Sequence, residues 1–191
     1  MSPKSNESAA GHVTVARIPN GSLPPESEAA IRALLWAAFG DGEDAMTEGD
    51  WQHAMAGVHF VAEVDGEIEA YASVAERTLE VDGRALRTGY VEAVATAVGR
   101  QGRGIGTQLM REVNEYIRGR FELGALGTGR FGFYDRVGWL IWRGETSVRT
   151  ADGPVRTPGE DGYIMVLRTP ASPELDLAAP ISCDARAGDA W

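Results

Sequence analysis

Three stretches carry residue types able to do chemistry. Glu92 stands alone in the apolar run Val91-Glu-Ala-Val-Ala-Thr-Ala-Val98. A carboxylate there must be paired, solvated by a cleft, or raised in pKa, unless strand alternation simply turns it to water. Gln101-Gly-Arg-Gly-Ile-Gly106 strips away side chains where a helix begins, since Ile105, Leu109, Val113 and Ile117 recur at every fourth position. A helix N-terminus presents unpaired N–H groups and a dipole that favours an anion, and glycines let a ligand reach that backbone. The plainer alternative is a Gly-rich turn that packs tightly. Tyr134, in Phe131-Gly-Phe-Tyr-Asp-Arg-Val-Gly-Trp139, is a phenol on a short helical stretch, either a proton donor or a core aromatic.

The glycine spacing is not that of a dinucleotide fingerprint, and no Gly-Lys-Ser/Thr follows to make a P-loop. Gln-x-x-Gly-x-Gly opening a helix after a buried strand resembles the pyrophosphate-binding motif of the GNAT (Gcn5-related) N-acetyltransferases. Aromatic-Tyr-x-x-x-Gly-aromatic, about a helix and a strand further on, resembles a second landmark of that family, so the pair is more specific than either motif. Acyl transfer from a thioester to an amine requires a base for the amine proton, a donor for the developing oxyanion, and a proton or donor for the leaving thiolate. Glu92, the backbone N–H groups of Val94 to Thr96, and Tyr134 suit these roles in turn.

Gly89-Tyr-Val-Glu-Ala-Val-Ala, Asp50-Trp-Gln-His, Leu123-Gly-Ala-Leu, Arg156-Thr-Pro-x-Glu-Asp-Gly and Cys183-Asp-x-Arg-Ala-Gly-Asp-Ala-Trp191 resemble, nearly end to end, the aminoglycoside 2′-N-acetyltransferases. The resemblance implies a GNAT enzyme that uses acetyl-CoA to acetylate the 2′-amine of gentamicin-, tobramycin- and kanamycin-type drugs, conferring resistance, generally as a homodimer. It implies Glu92 as base, through ordered water, and Tyr134 as acid. Val94, Ala95 and Thr96 would meet the pantetheine arm. Gln101, Gly102, Arg103, Gly104, Ile105 and Gly106 would hold the pyrophosphate. The implied drug contacts are Asp41 or Asp44 with Asp50, Glu92 with Ala93, Gly127, Glu160 with Asp161, and Asp189 with Trp191. Gly127 stands where the family usually has serine and Gly159 where an acid is usual, and the first acidic loop is longer. Competing readings are a GNAT enzyme for another amine, and a non-catalytic acyl-CoA sensor or drug-sequestering protein.

The elements that must position these residues follow from pattern. His12 to Ile18 reads as a strand, and Pro24-Pro25 opens a helix whose buried face is Ile31, Leu34, Leu35 and Phe39. Asp41 to Asp50 holds five acids and no base, and on composition reads as a solvated loop; Thr47-x-x-Asp50 is close to a capping box. Asp65-Gly66 and Asp82-Gly83 predict hairpins joining 58–64 to 68–75 and 78–81 to 85–96. After the helix come strand 123–126, a short helix 131–137 ended by Gly138, strands 139–142, 146–148 and 163–167, and an irregular stretch beyond Pro170. Hairpins followed by strand–helix–strand predict an α/β fold with a mixed, mostly antiparallel sheet flanked by helices. A splayed pair at the central strand would leave a crevice, the GNAT (acyl-CoA N-acyltransferase) architecture.

The chain has 191 residues, 43% hydrophobic, which suits a single domain over 12–191 behind a disordered leader at 1–11. Eighteen basic and 28 acidic residues leave −10, against broad binding to nucleic acid or anionic membrane but compatible with a cationic substrate. No apolar run approaches the ~20 residues of a membrane span, no metal-ligand pattern stands out, and the single Cys183 suits a reducing compartment, with cytoplasm as the expectation.

Overall fold

The computed structural model describes residues 12–42 and 45–191; the expected leader and Asp44 lie outside them. The Asp-Gly turns fold as their sequence requires. Asp65 and Gly66 have φ of 54° and 86°, and Asp82 and Gly83 have 48° and 76°, the pair of positive φ values that matches hairpin twist. They join β2 (Val58–Val64) to β3 (Glu67–Val81) and β3 to β4 (Arg84–Thr96). β3 is one strand of 15 residues, where two shorter ones were expected. Its first half pairs with β2, and its far end pairs with a strand from much later in the chain.

β1 (Val13–Ile18) lies antiparallel on β2. α1 (Pro25–Phe39) and α2 (Glu48–Met55) pack over β3 and β4 through Ile31, Leu34, Leu35, Trp51 and Ala54, while Phe39 is only partly buried. The capping box at Thr47 forms in both directions. The Thr47 hydroxyl accepts from Asp50 N at 3.2 Å, and Asp50 Oδ2 accepts from Thr47 N at 2.9 Å.

α3 (Ile105–Arg120) buries its expected stripe completely, with Ile105, Leu109, Val113 and Ile117 all inside. It sits close to the sheet because two facing strand positions are glycine. A Cβ at Gly89 would stand 2.8 Å from Phe121, and one at Gly124 3.1 Å from Ile117. β5 (Leu123–Gly127) then runs parallel to β4, and α4 (Phe131–Asp135) follows.

β6 (Leu140–Ile141), β7 (Thr146–Thr150), β8 (Gly153–Arg156), a 3-10 turn (Pro158–Glu160), β9 (Ile164–Arg168) and β10 (Ile181–Asp184) complete the chain. The sheet order is β6-β9-β5-β4-β3-β10-β7-β8, with β2 and β1 extending from the other part of β3. Two expectations need correction. β8 went unpredicted, and the stretch beyond Pro170 is not wholly irregular, because β10 inserts between β3 and β7. Four residues carry little strand signal; β10 is held by partners on both sides, antiparallel to β3 and parallel to β7. No helix among the described residues is long and apolar enough to cross a membrane.

Candidate active site

Strand β4 changes character at Tyr90. Up to that residue it pairs with β5, the last pair being Tyr90 with Ala125. Beyond it, β4 stays with β3 while β5 follows β9 as far as Gly127 opposite Ile164. The parallel neighbours therefore separate, and backbone groups of β4 on that side face a crevice instead of a strand.

A bulge sharpens this divergence. Glu92 opposes Ser73 and Ala95 opposes Tyr71, so Ala72 has both Ala93 and Val94 across from it. The extra residue is Ala93, whose φ of 50° costs an L-residue on the order of 1–3 kcal/mol. The bulge shifts strand alternation by one position. Val91 and Val94 both join the core under α3, while Ala93 and Ala95 join the core under α1 and α2. Glu92 is held on the latter face.

At the far end of β4, the turn Val98–Arg100 leads into the glycine loop. Gly104, with φ of 83°, is the N-cap of α3, and no side chain caps that end. The first N–H groups of α3 thus point outward without a helical partner, and nothing lies within 4 Å of where side chains at Gly102 or Gly104 would start. A Cβ on Gly106 would instead meet Thr96 Oγ1 at 3.0 Å and Phe133 at 3.5 Å. Thr96, Gly106 and Phe133 of α4 therefore converge at one edge of the crevice. Such a cradle fits a pyrophosphate, with an open helix start, exposed Arg103 and no acid in the first turn of α3. Gln101 folds back, its Nε2 donating to Thr96 O at 3.2 Å, and Ile105 is buried, so both serve the loop's shape through their backbone.

Tyr134 lies on α4, packed edge-on against Phe133 at 5.0 Å and Trp139 at 6.2 Å. Its ring shares a core with Val94, and its hydroxyl has no partner among the described residues. Burial raises its pKa far above the ordinary tyrosine value, so it is a protonated donor at neutral pH.

The other side of the crevice is walled by the 185–191 segment. Arg186 Nη1 donates to Glu92 Oε1 at 2.5 Å, its Nη2 lies 3.5 Å from Oε2, and its Nε donates to Asp189 O at 2.7 Å. Burial disfavours charge on this guanidinium, but Glu92 outweighs that and holds its pKa above the usual arginine value. Trp191 is buried, with its indole N–H donating to Thr157 Oγ1 at 3.0 Å and its backbone N–H to Asp189 Oδ1 at 3.1 Å. Arg77 of β3, also buried, donates to Ala190 O at 2.7 Å and to Asp184 O at 2.9 Å. The segment is therefore anchored at several points.

The acids expected around a cationic substrate divide into two groups. Glu160 and Asp189 lie near each other. Burial first, and the Asp189 charge second, push the Glu160 carboxyl up, so a cation between them would relieve both costs. Asp161 is already satisfied: its Oδ1 accepts from Thr146 N and Oγ1, each at 2.8 Å, and its Oδ2 from Arg156 at 2.8 Å. The Arg156 hydrogen bond, with those from Thr146, depresses its carboxyl well below the usual range. Asp50 is likewise occupied by its cap, Asp41 is exposed, and Gly127 is exposed beside the buried Tyr90 hydroxyl. Sequence reasoning gave no role to Arg77, Tyr90, Thr157 or Arg186; the last three stand inside quoted motifs, but nothing in their spacing says what each one contacts.

Comparison with known proteins shows the family and the fold. The acetyltransferase (GNAT) domain family matches residues 22–142. The GNAT-family N-acetyltransferase YhbS from Escherichia coli, solved in complex with CoA, superposes with a TM-score of 0.65 at 18% identity, over 91% of each chain. A GNAT-family acetyltransferase from Brucella melitensis, in complex with acetyl-CoA, gives 0.58 at 21% identity, over 87% of this chain and 94% of that one. The aminoglycoside 2′-N-acetyltransferase of Mycolicibacterium fortuitum is 41% identical over 184 residues, covering 93% of this chain and 92% of that protein. The chain belongs to the GNAT acetyltransferases and, within them, to the aminoglycoside 2′-N-acetyltransferase family.

Proposed function

We propose that this enzyme transfers the acetyl group of acetyl-CoA to the 2′-amine of aminoglycoside antibiotics and so confers resistance to them. The carrying observation is the crevice at the end of β4, with an open helix start and a buried phenol on one side and gathered carboxylates on the other. The name of the 41% identical relative supplies the acceptor class, and two fold neighbours were solved with CoA or acetyl-CoA.

In this reading the α3 N-terminus and the glycine loop bind the cofactor's pyrophosphate through backbone N–H groups. The backbone of Val94 to Thr96 takes the pantetheine arm, in the way an added strand would. Glu160, Asp189 and Glu92 draw ammonium groups of the drug into place, with Ala93, Gly127 and Trp191 shaping the wall. The 2′-ammonium gives a proton to Glu92, directly or through one water, and its lone pair attacks the thioester carbonyl carbon. A C–N bond forms as the carbonyl electrons move onto oxygen, where a free β4 N–H stabilises them. Those electrons return as the C–S bond breaks, nitrogen gives up its second proton to water in the crevice, and the Tyr134 hydroxyl hydrogen-bonds or protonates the departing thiolate and recovers its own proton from water.

Thiol release with acetyl-CoA and tobramycin tests this, together with an aminoglycoside bearing hydroxyl in place of the 2′-amine. Tobramycin should give acceptor-dependent release and a product one acetyl group heavier, and the 2′-hydroxy compound neither. Equal rates with both acceptors, or CoA binding without release, would overturn the assignment.

A further inference from the structure

The ion pair between Arg186 and Glu92 joins positions 94 residues apart, and both side chains are largely buried, at 15% and 11% exposure. A guanidinium and a carboxylate taken out of water together are costly unless the geometry gives a return. Here the same guanidinium makes contacts of two kinds. One edge holds Glu92, and the rest reaches main-chain oxygens: Nε to Asp189 O at 2.7 Å and Nη2 to Trp191 O at 3.4 Å. Only one carboxylate oxygen is tightly engaged. Oε1 is at 2.5 Å, while Oε2 at 3.5 Å keeps lone pairs for another donor.

We infer that Arg186 is a positioning residue that couples the two halves of the acceptor site, orienting Glu92 with one edge and folding the 185–191 segment that presents Asp189 with the other. The inference rests on the reading of Glu92 as the base. Lysine cannot reproduce the arrangement, because a single ammonium lacks the planar fork needed to reach Glu92 and the Asp189 and Trp191 main-chain oxygens at once. The neighbours that share this environment are Tyr90 beside Glu92 on β4, Arg77 from β3, Cys183 from β10 and Asp189 from the same segment as Arg186, with His53 of α2 against Gly188. Arg77 stacks over the Tyr90 ring at 4.8 Å and Arg186 at 5.7 Å, so the pair is bounded by fixed groups.

The test is steady-state kinetics of Arg186→Ala and Arg186→Lys with acetyl-CoA and tobramycin, calorimetry of CoA binding, and hydrogen exchange of residues 187–191. In Arg186→Ala, kcat/KM for tobramycin should fall about 10- to 100-fold, as misplacement of a reacting group by an ångström does, with CoA affinity unchanged. Arg186→Lys should recover much of kcat while KM for tobramycin stays high. Amides 187–191 should exchange faster in both variants. A rise in kcat/KM for Arg186→Ala would show that the guanidinium blocks the base, and an unchanged rate would make it packing only. Either result overturns the inference. If Arg186→Ala does not fold, the KM-against-kcat split in Arg186→Lys decides alone. If the wild type acetylates no aminoglycoside, the functional reading fails, while the exchange result still reports whether Arg186 orders the segment.

Discussion

The two sides of the β4 crevice are built by different means. On the α3 side the crevice-facing groups are mostly backbone: a bulged strand, a left-handed Gly104 and a helix start without a cap. The side chains there only set the shape, as when Gln101 turns inward to Thr96. On the opposite side the groups are charged side chains from β4, the Pro158–Glu160 turn and the 185–191 segment, joined by the Arg186–Glu92 ion pair and by the Trp191 indole N–H donating to Thr157. In the proposed function the backbone site takes the part common to every reaction cycle, the pyrophosphate of the cofactor. A site of side chains can change one residue at a time, which is where the choice of acceptor belongs. Removing charge should therefore affect one side, and adding a Cβ the other.

The largest effect should come from Glu92→Gln, which keeps the shape of the side chain and removes its basicity. The turnover rate at neutral pH should fall roughly 10²–10⁴-fold, the usual worth of a general base, and less at higher pH where more amine is already free. Stopped-flow thiol release across a pH series reads this directly; an unchanged rate would leave Glu92 as a contact only. Next, Gly104→Val forces a β-branched residue into a φ of 83° at the mouth of the cradle. CoA affinity measured by calorimetry should drop by about tenfold or more, corresponding to roughly 1–3 kcal/mol of backbone strain or displaced phosphate.

Tyr134→Phe should be milder. The ring contacts with Phe133 and Trp139 survive, so cofactor affinity should hold while the acetyl-transfer step slows in a single turnover. Equal single-turnover rates would return Tyr134 to the core.

The smallest effect concerns stability. Asp161 has a depressed carboxyl pKa in the folded protein, so its contribution is present above its unfolded value of about 3.9 and is lost as pH falls through the folded value. Asp161→Asn should lower Tm at neutral pH, and the gap to wild type should close in strong acid. Because the carboxylate is partly exposed, solvent screens its pairing with Arg156 and the loss should be modest. A gap that persists in acid would mean that the turn is held by shape alone.

The same contrast governs what the sequence reveals. The α3 stripe, the Asp-Gly turns, the Thr47 capping box and the glycine loop are local patterns, each set within a few residues, and all are legible. The Ala93 bulge is not, because nothing about alanine favours φ of 50°; the mismatch between β3 and β4 imposes it. β10 is likewise invisible, since Ile181-Ser-Cys-Asp184 becomes a strand only by fitting between β3 and β7. Arg186 carries no periodicity or motif that points to a carboxylate 94 residues earlier. Asp161 was expected to face the drug, whereas its oxygens are committed to Thr146 and Arg156. Acid-rich composition cannot separate a free carboxylate from a paired one.

The division of labour is tested most directly by titrating both ligands into two variants of opposite kind, Gly104→Val and the isosteric double substitution Glu160→Gln with Asp189→Asn. Calorimetry should show that Gly104→Val loses CoA affinity and keeps tobramycin affinity, and that the charge-neutral double variant does the reverse. If each variant weakens both ligands equally, the two sides are one cooperative unit and the account of separate backbone and side-chain sites is wrong.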